Sequence, residues 1–307
     1  MTDIIKGTSS KELLFGTAEN DIINALAGND FVVSGDGNDK VNAGKGDDVV
    51  FLGDGDDKAF GKSGTDNLNG DDGNDYLDGG KGNDFLVGDA IGNSELQGDD
   101  TLIGGSGEDN ILGGPGADQM YGNKGQDLII GDSGDDYASG GKGNDDIFGN
   151  SGNDELYGDR GNDQIAGGPG NDTVVGGSGN DTLFGVGVTT SNIGVNEIDV
   201  LTGNKGKDTF VLGKVLGDDT ELVLYNDGDT STAGINDYVL ITDFERKDTI
   251  QLVGSDSDYI LGASPDGLPS GTGIFFKDDT IPELIGIVAN KDVNDLSLDN
   301  TKQFNFI

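Results

Sequence analysis

The chain has 307 residues and carries 58 Asp+Glu against 18 Lys+Arg, a formal net charge of −40, with 57 Gly, 5 Pro and no Cys, His or Trp. Without His or Cys it cannot build Ser-His-Asp or Cys-His catalysis, a His-Glu-x-x-His zinc site, a thiolate metal site or a disulfide framework. So acidic a chain repels nucleic acid and anionic membrane surfaces and attracts cations, no apolar run approaches the ~18 residues of a membrane span, and Met1 to Lys11 lacks the basic-then-apolar pattern of a cleavable leader.

Acidic, Gly-rich, aromatic-poor composition is shared with disordered chains, but here the order of the residues argues otherwise. From the N-terminus an Asp recurs in steps of nine: Asp21, Asp30, Asp39, Asp48, Asp57, Asp66, Asp75 and Asp84. After an insertion near Ala90 to Leu96 the series resumes at Asp100, Asp109, Asp118, Asp127, Asp136, Asp145, Asp154, Asp163, Asp172 and Asp181. A degenerate repeat around Val188 to Asn196, with Thr190 in the Asp slot, separates these from Asp199 and Asp208. Asp3 and Glu12 fall on the same grid and read as a degenerate N-terminal cap. The residue two after each Asp is apolar, from Ile23 and Val32 to Leu201 and Phe210; the residue two before it is Gly, except for Glu19 and Glu197.

An apolar side chain held at one slot in nine predicts a repeating all-β fold, because one repeat cannot bury that side chain alone whereas stacked repeats make a continuous core. Each nonapeptide divides into a Gly-rich turn of about six residues and a strand of about three, with the neighbours of the apolar residue facing solvent. Two nonapeptides make a coil with a turn at each end, and coils stack ~4.8 Å apart. Asp39, Asp57 and Asp75 then line one edge, and Asp48, Asp66 and Asp84 the other. Like charges ~5 Å apart repel by roughly 3 kcal/mol at an effective dielectric near 20, so the stack needs a cation. Carboxylates and backbone carbonyls are hard oxygen donors that suit Ca²⁺; transition metals prefer the absent His and Cys. The Gly residues permit φ > 0, and Asn123, Asn150, Asp71 and Asp132, which replace the second Gly, tolerate that region best among other residues.

These residues resemble the RTX (repeat-in-toxin) family, whose motif Gly-Gly-x-Gly-x-Asp-x-U-x is matched from about Gly16 to Phe210, best at Gly79-Gly80-Lys81-Gly82-Asn83-Asp84-Phe85-Leu86-Val87 and Gly167-Gly168-Pro169-Gly170-Asn171-Asp172-Thr173-Val174-Val175. The resemblance implies a parallel β-roll solenoid in which an ion lies between turn n and turn n+2, held by one Asp from each turn and by carbonyls of the Gly-Gly-x-Gly segment. Asp84 would share an ion with Asp66, and Asp172 with Asp154; Gly79, Gly80, Gly82, Gly167, Gly168, Gly170, Gly176, Gly177 and Gly179 would lend carbonyls. It implies on the order of a dozen calcium ions, of the weak extracellular class at ~10⁻⁴–10⁻³ M. Departures at Ala43, Leu52, Leu26, Glu19 and Glu197 weaken the match, and sites near Asp21, Asp30 and Asp199 are in doubt.

After Phe210 the period stops. Strand-like segments follow at Leu222 to Tyr225, Tyr238 to Phe244, Thr249 to Leu252, Gly273 to Lys277, Leu284 to Val288 and Gln303 to Ile307, with a turn at Ser264-Pro265-Asp266-Gly267. They predict an antiparallel β cap on the open end of the roll. The expected organisation is a roll over 1–211, with a degenerate cap at 1–20 and loop insertions near 90–96 and 185–198, and a capping domain over 212–307. The segment Asp237-Tyr238-Val239-Leu240-Ile241-Thr242-Asp243-Phe244 with Lys247-Asp248-Thr249-Ile250, and the ending Phe304-Asn305-Phe306-Ile307, are similar to serralysin-type and cyanobacterial RTX C-termini, which implies type I export without an N-terminal signal. Asp227-Gly228-Asp229 and Asp292-Val293-Asn294-Asp295 lack the Gly and Glu of an EF-hand and read as turns.

The expected function is a non-enzymatic, secreted or cell-surface calcium-binding protein with no nucleic-acid partner and no membrane insertion. An adhesin or ligand-binding module using the roll faces is the alternative, with a cell-surface polysaccharide or the export machinery as partner. A carboxylate-only polysaccharide-active enzyme is a third reading. Outward strand positions such as Lys40, Lys58, Tyr76, Phe85 and Thr101 are mixed and give no regular ligand-binding array.

Overall fold

A computed structural model describes residues 3–89, 98–186, 197–215, 221–225, 237–277 and 282–307. The insertion near Ala90 to Leu96, the degenerate repeat around Thr190 and the Asp227-Gly228-Asp229 turn lie outside the described residues. The chain divides into two compact units, Met1–Gly149 and Asn150–Ile307. The described residues contain only strands, turns and two short 3₁₀ segments, Asp256–Asp258 and Val293–Asp295, and no helix among them is long and apolar enough to cross a membrane.

In Met1–Gly149 successive nonapeptides alternate between two parallel sheets. Lys40–Lys45, Lys58–Ser63 and Tyr76–Lys81 are neighbours in the first sheet. Val49–Phe51, Asn67–Asn69 and Phe85–Val87 are neighbours in the second. The register step is one coil, Val41 opposite Ala59 and Val50 opposite Leu68. Across the insertion the same ladder resumes, with Tyr76 opposite Thr101 and Leu77 opposite Leu102. The apolar slot of each repeat is sealed from solvent: Ile23, Val32, Val41, Leu68, Leu86, Leu102, Ile111, Met120 and Ile129 are all 0% exposed. This is the stacked core the nine-residue period predicts.

The coil also divides the outward positions between the two sheets. Lys40, Lys58 and Tyr76 are ladder neighbours on the first sheet, where Lys62 lies 4.3 Å from the Phe60 ring. Phe31, Val49 and Phe51 lie on the second sheet, with the Phe31 and Phe51 rings 5.7 Å apart. Each face stays mixed, with Tyr76 next to Lys58 on the first sheet and Asn67 next to Val49 on the second.

In Asn150–Ile307, Glu155–Arg160, Thr173–Ser178 and Ile198–Lys205 continue as parallel neighbours, and so do Gln164–Ala166, Thr182–Phe184 and Thr209–Val211. The C-terminal segments form strands, but only part of them is antiparallel. Gly271–Phe276 pairs antiparallel with both Tyr259–Ala263 and Glu283–Ala289. Tyr238–Ile241 instead adds in parallel to Ile198–Lys205, and Thr249–Leu252 and Phe304–Phe306 add in parallel after Thr209–Val211. The reason is that an Asp and an apolar residue two apart persist at Asp248 and Ile250, so this segment still fits the roll after the Gly-rich turns are gone. Tyr259–Ala263 is a strand the sequence reading did not identify; the Ser264-Pro265-Asp266-Gly267 turn links it to Gly271–Phe276, with Gly267 at φ 91 and the Leu268 N–H donating to the Pro265 carbonyl (3.2 Å). At Asp292 the carboxylate accepts the Asn294 N–H (2.9 Å), a turn as expected.

Candidate metal centres

The repeat Asp residues form two ladders. In Met1–Gly149 the N–H of each donates to Oδ1 of the Asp one coil on. One edge runs Asp21 to Asp39 (2.7 Å), Asp39 to Asp57 (2.6 Å), Asp57 to Asp75, Asp75 to Asp100, Asp100 to Asp118 and Asp118 to Asp136 (each 2.8 Å). The other runs Asp30 to Asp48 (2.8 Å), Asp48 to Asp66, Asp66 to Asp84 (both 2.9 Å), Asp84 to Asp109 (2.8 Å), Asp109 to Asp127 and Asp127 to Asp145 (both 2.9 Å). In Asn150–Ile307 the same bond joins Asp154 to Asp172, Asp172 to Asp199 and Asp163 to Asp181 (each 2.9 Å), and Asp181 to Asp208 (3.1 Å). Every one of these Asp side chains is buried.

One bond per carboxylate leaves the second oxygen. Oδ2 of Asp66, Asp75, Asp84, Asp100, Asp109, Asp118, Asp127, Asp172, Asp181 and Asp208 is buried without a hydrogen-bond partner. A buried, unpartnered carboxylate oxygen is costly, and its surroundings are built by glycine. A methyl at Gly61 would overlap Asp66 Oδ2 and lie 2.7 Å from the Gly79 carbonyl oxygen. One at Gly113 would overlap Asp118 Oδ2 and lie 2.9 Å from the Gly131 carbonyl oxygen. The first Gly of the turn thus keeps open an oxygen-lined cradle shared by a carboxylate and the carbonyl of the next coil. The second position of the turn is left-handed at Gly80 (φ 103), Gly168 (φ 128) and Gly177 (φ 109), and also where Leu26, Lys62, Asn123 and Asp159 replace Gly.

Burial pushes these carboxyls up. Asp66 and Asp127 are raised to about 7, Asp100 to about 7 and Asp118 to about 8, by desolvation first, against the pull of the donated N–H, with the stacked Asp charges adding to the rise. Asp75 and Asp172 reach about 9. Such groups hold a proton or a cation near neutral pH. Among the described residues no three acidic side chains converge. A bound ion would therefore draw on one or two carboxylates and otherwise on backbone carbonyls. This donor set is all hard oxygen and fits Ca²⁺.

Other repeats lack the open glycine cradle or have its oxygen occupied, although Oδ2 of Asp30, Asp39, Asp48 and Asp57 is likewise buried without a partner. Five residues before Asp30, Asp39, Asp48 and Asp57 stand Ala25, Ser34, Ala43 and Leu52 instead of Gly, each 0% exposed, so a side chain fills the cradle. At Asp21, Oδ2 accepts the Thr17 N–H (2.7 Å) and hydroxyl (3.0 Å), which leaves no free oxygen. At Asp199, the buried Tyr225 hydroxyl donates to Oδ2 and occupies the space that Gly185 leaves open. The next strand puts Val239 opposite Asp199, so the ladder has no further carboxylate there. Tyr225→Phe is expected to lower the melting temperature by several degrees, the effect of leaving a buried carboxylate without its donor, about 1–3 kcal/mol. An unchanged thermal midpoint would show that Asp199 finds another partner.

Sequence reasoning missed Asp248, whose Oδ1 accepts the Asp208 N–H (3.1 Å) and whose Oδ2 accepts the Glu245 N–H (2.6 Å), closing the second edge. It missed Asp243, which accepts the Gly203 (2.9 Å) and Asn204 (2.7 Å) N–H groups. It also missed Tyr225. The Asp-x-apolar spacing at Asp248 was the one available signal.

A family model described as RTX calcium-binding nonapeptide repeat (4 copies) matches residues 6–41, 27–59, 34–68, 60–90, 96–129, 121–156, 130–165 and 157–186. No curated protein matches the chain.

Proposed function

Since the chain belongs to the RTX calcium-binding nonapeptide repeat family, we propose that it is a secreted, non-enzymatic protein whose roll folds when several calcium ions enter the glycine cradles outside the cell. The observation that carries this reading is the repeated buried Oδ2 without a partner beside a glycine carbonyl, as at Asp66 and Asp118. Ions would be held by Asp66, Asp75, Asp84, Asp100, Asp109, Asp118, Asp127, Asp172, Asp181 and Asp208, with the first glycine of the following coil, such as Gly79 or Gly131, supplying a carbonyl. The calcium ion supplies the positive charge that lets stacked carboxylates stay ionised. The role is structural, at the cell surface or in the medium.

Low cytosolic calcium would keep the chain unfolded for export, and the higher calcium outside would fold it. The C-terminal strands Thr249–Leu252 and Phe304–Phe306 close one sheet of Asn150–Ile307, and the likeness of these segments to type I export signals favours that route. A far-UV circular dichroism titration tests the coupling. The chain is expected to gain β signal cooperatively as calcium rises to millimolar, and equal β content in EGTA and in calcium would sink it.

A further inference from the structure

We propose that Asp89 is a calcium ligand outside the nonapeptide motif, which makes the coil from Gly88 to Asp118 a site with an added carboxylate. The proposal rests on the reading of the Asp ladder as calcium-binding. Asp89 stands at the second position of its turn, where the repeat has Gly. At most other coils a non-glycine residue in this position takes the left-handed backbone, as at Lys62 (φ 76), Asp71 (φ 75), Asn123 (φ 72), Asp132 (φ 91), Asn150 (φ 72) and Asp159 (φ 69), whereas Val186, like Asp89 next to an insertion, does not and buries an apolar side chain. The side chains of the left-handed residues are exposed or half-buried. Asp89 does not adopt that backbone and is 0% exposed. Its carboxylate is turned into the roll, with neither Oδ1 nor Oδ2 in full hydrogen-bond geometry to a donor, although the Gly98 N–H is close enough to favour its charge.

The surroundings make room for it. The Asp89 N–H donates to the Gly113 carbonyl (2.9 Å), which ties it to the next coil. Gly114, at φ 114, lets that coil approach; a methyl there would lie 2.7 Å from Asp89 Cβ. Beside Asp89, the open cradle at Gly88 is bordered by Asp100 Oδ2 and, 2.5 Å from where a methyl would sit, by the Gly113 carbonyl oxygen. Asp100 Oδ2 is itself buried and unpartnered. Asp89 adds a carboxylate to what Asp100 and the Gly113 carbonyl give this cradle, so an ion there meets more negative charge than in a cradle with glycine at that position. Charge count is the lever by which oxygen-ligand calcium sites gain affinity.

Asp89→Asn keeps the shape and removes the charge. In calcium, calorimetry is expected to lose the tightest binding step, leaving Asp100 and the Gly113 carbonyl as a standard cradle, and the calcium-induced rise in melting temperature to shrink. Asp71→Asn, at the same turn position but half-buried, is expected to leave that step unchanged. Asp89→Glu, which keeps a carboxylate, is expected to keep it. An Asp89→Asn chain with the parent's tightest binding step and the parent's calcium-induced rise in melting temperature would overturn the proposal. So would one that fails to fold in millimolar calcium, since the remaining coils keep their ions. A parent chain that binds no calcium would overturn the broader reading and this proposal with it.

Discussion

Dialysed free of metal, the protein is expected to lose its β structure at pH 8 and to regain it at pH 5, with no change of ligand. The ladder carboxyls have folded-state values raised above the ordinary carboxylate value near 4: about 7 at Asp57, Asp66, Asp100 and Asp127, about 8 at Asp118, and about 9 at Asp75 and Asp172. A raised folded value means that the folded chain binds more protons than the unfolded one between about 4 and 7–9. Stability from these groups is complete below pH 4 and is lost as pH rises through their folded values. One group moved from near 4 to near 7 shifts stability by roughly 4 kcal/mol across that window. Several coupled groups together exceed the ~5–15 kcal/mol that a domain has. The choice of pH 5 keeps the chain above its pI of about 4.1, where it stays soluble. Millimolar calcium should remove the pH dependence at the alkaline end, because the ion replaces the protons. Circular dichroism from pH 5 to 9 with and without calcium measures this. A metal-free signal flat across that range would contradict it.

Gly113→Ala should damage folding and calcium binding together. It would overlap Asp118 Oδ2 and lie 2.9 Å from the Gly131 carbonyl oxygen, both held by backbone pairing on either side. Overpacking of this kind costs about 1–3 kcal/mol, and loss of the ion removes a further ~1.4 kcal/mol for each tenfold excess of calcium over its dissociation constant. The expected outcome is a fall of 10 °C or so in the calcium-loaded melting temperature and one calcium fewer by native mass spectrometry. The reciprocal change is Ala43→Gly, which opens a cradle beside Asp48, whose Oδ2 is already buried and unpartnered. It should add one ion and raise the calcium-induced stabilisation. If Gly113→Ala keeps its ion, the cradle is not where calcium binds.

Much of this was legible in the residues. The nine-residue period names the inward slot, so Leu68, Leu102 and Ile129 could be placed in the core without coordinates. It also assigns Asp48 and Asp66 to one edge and Asp57 and Asp75 to the other. The same local turn repeats, and a local rule is visible in a local pattern. The substitutions at Ala43 and Leu52 were visible as departures, though not their consequence, which depends on the Cβ direction at a turn against the next coil. The outward positions look mixed along the sequence and remain mixed on each sheet.

What the sequence by itself determined is the parallel all-β stack, its inward residues and the two ladders of Asp. The tertiary structure alone decided which carboxylates are free to take an ion. Thr17 satisfies Asp21, Tyr225 satisfies Asp199 from 26 residues away, and Val239 ends one ladder while Asp248 extends the other across 40 residues. Asp89, adjacent to an insertion, is turned inward where Lys62, Asn123 and Asp159 are exposed. Apart from Thr17 and Asp21, which share one turn, these contacts join residues at separations the repeat does not fix, so no period encodes them. They are set by how a coil closes on its neighbour.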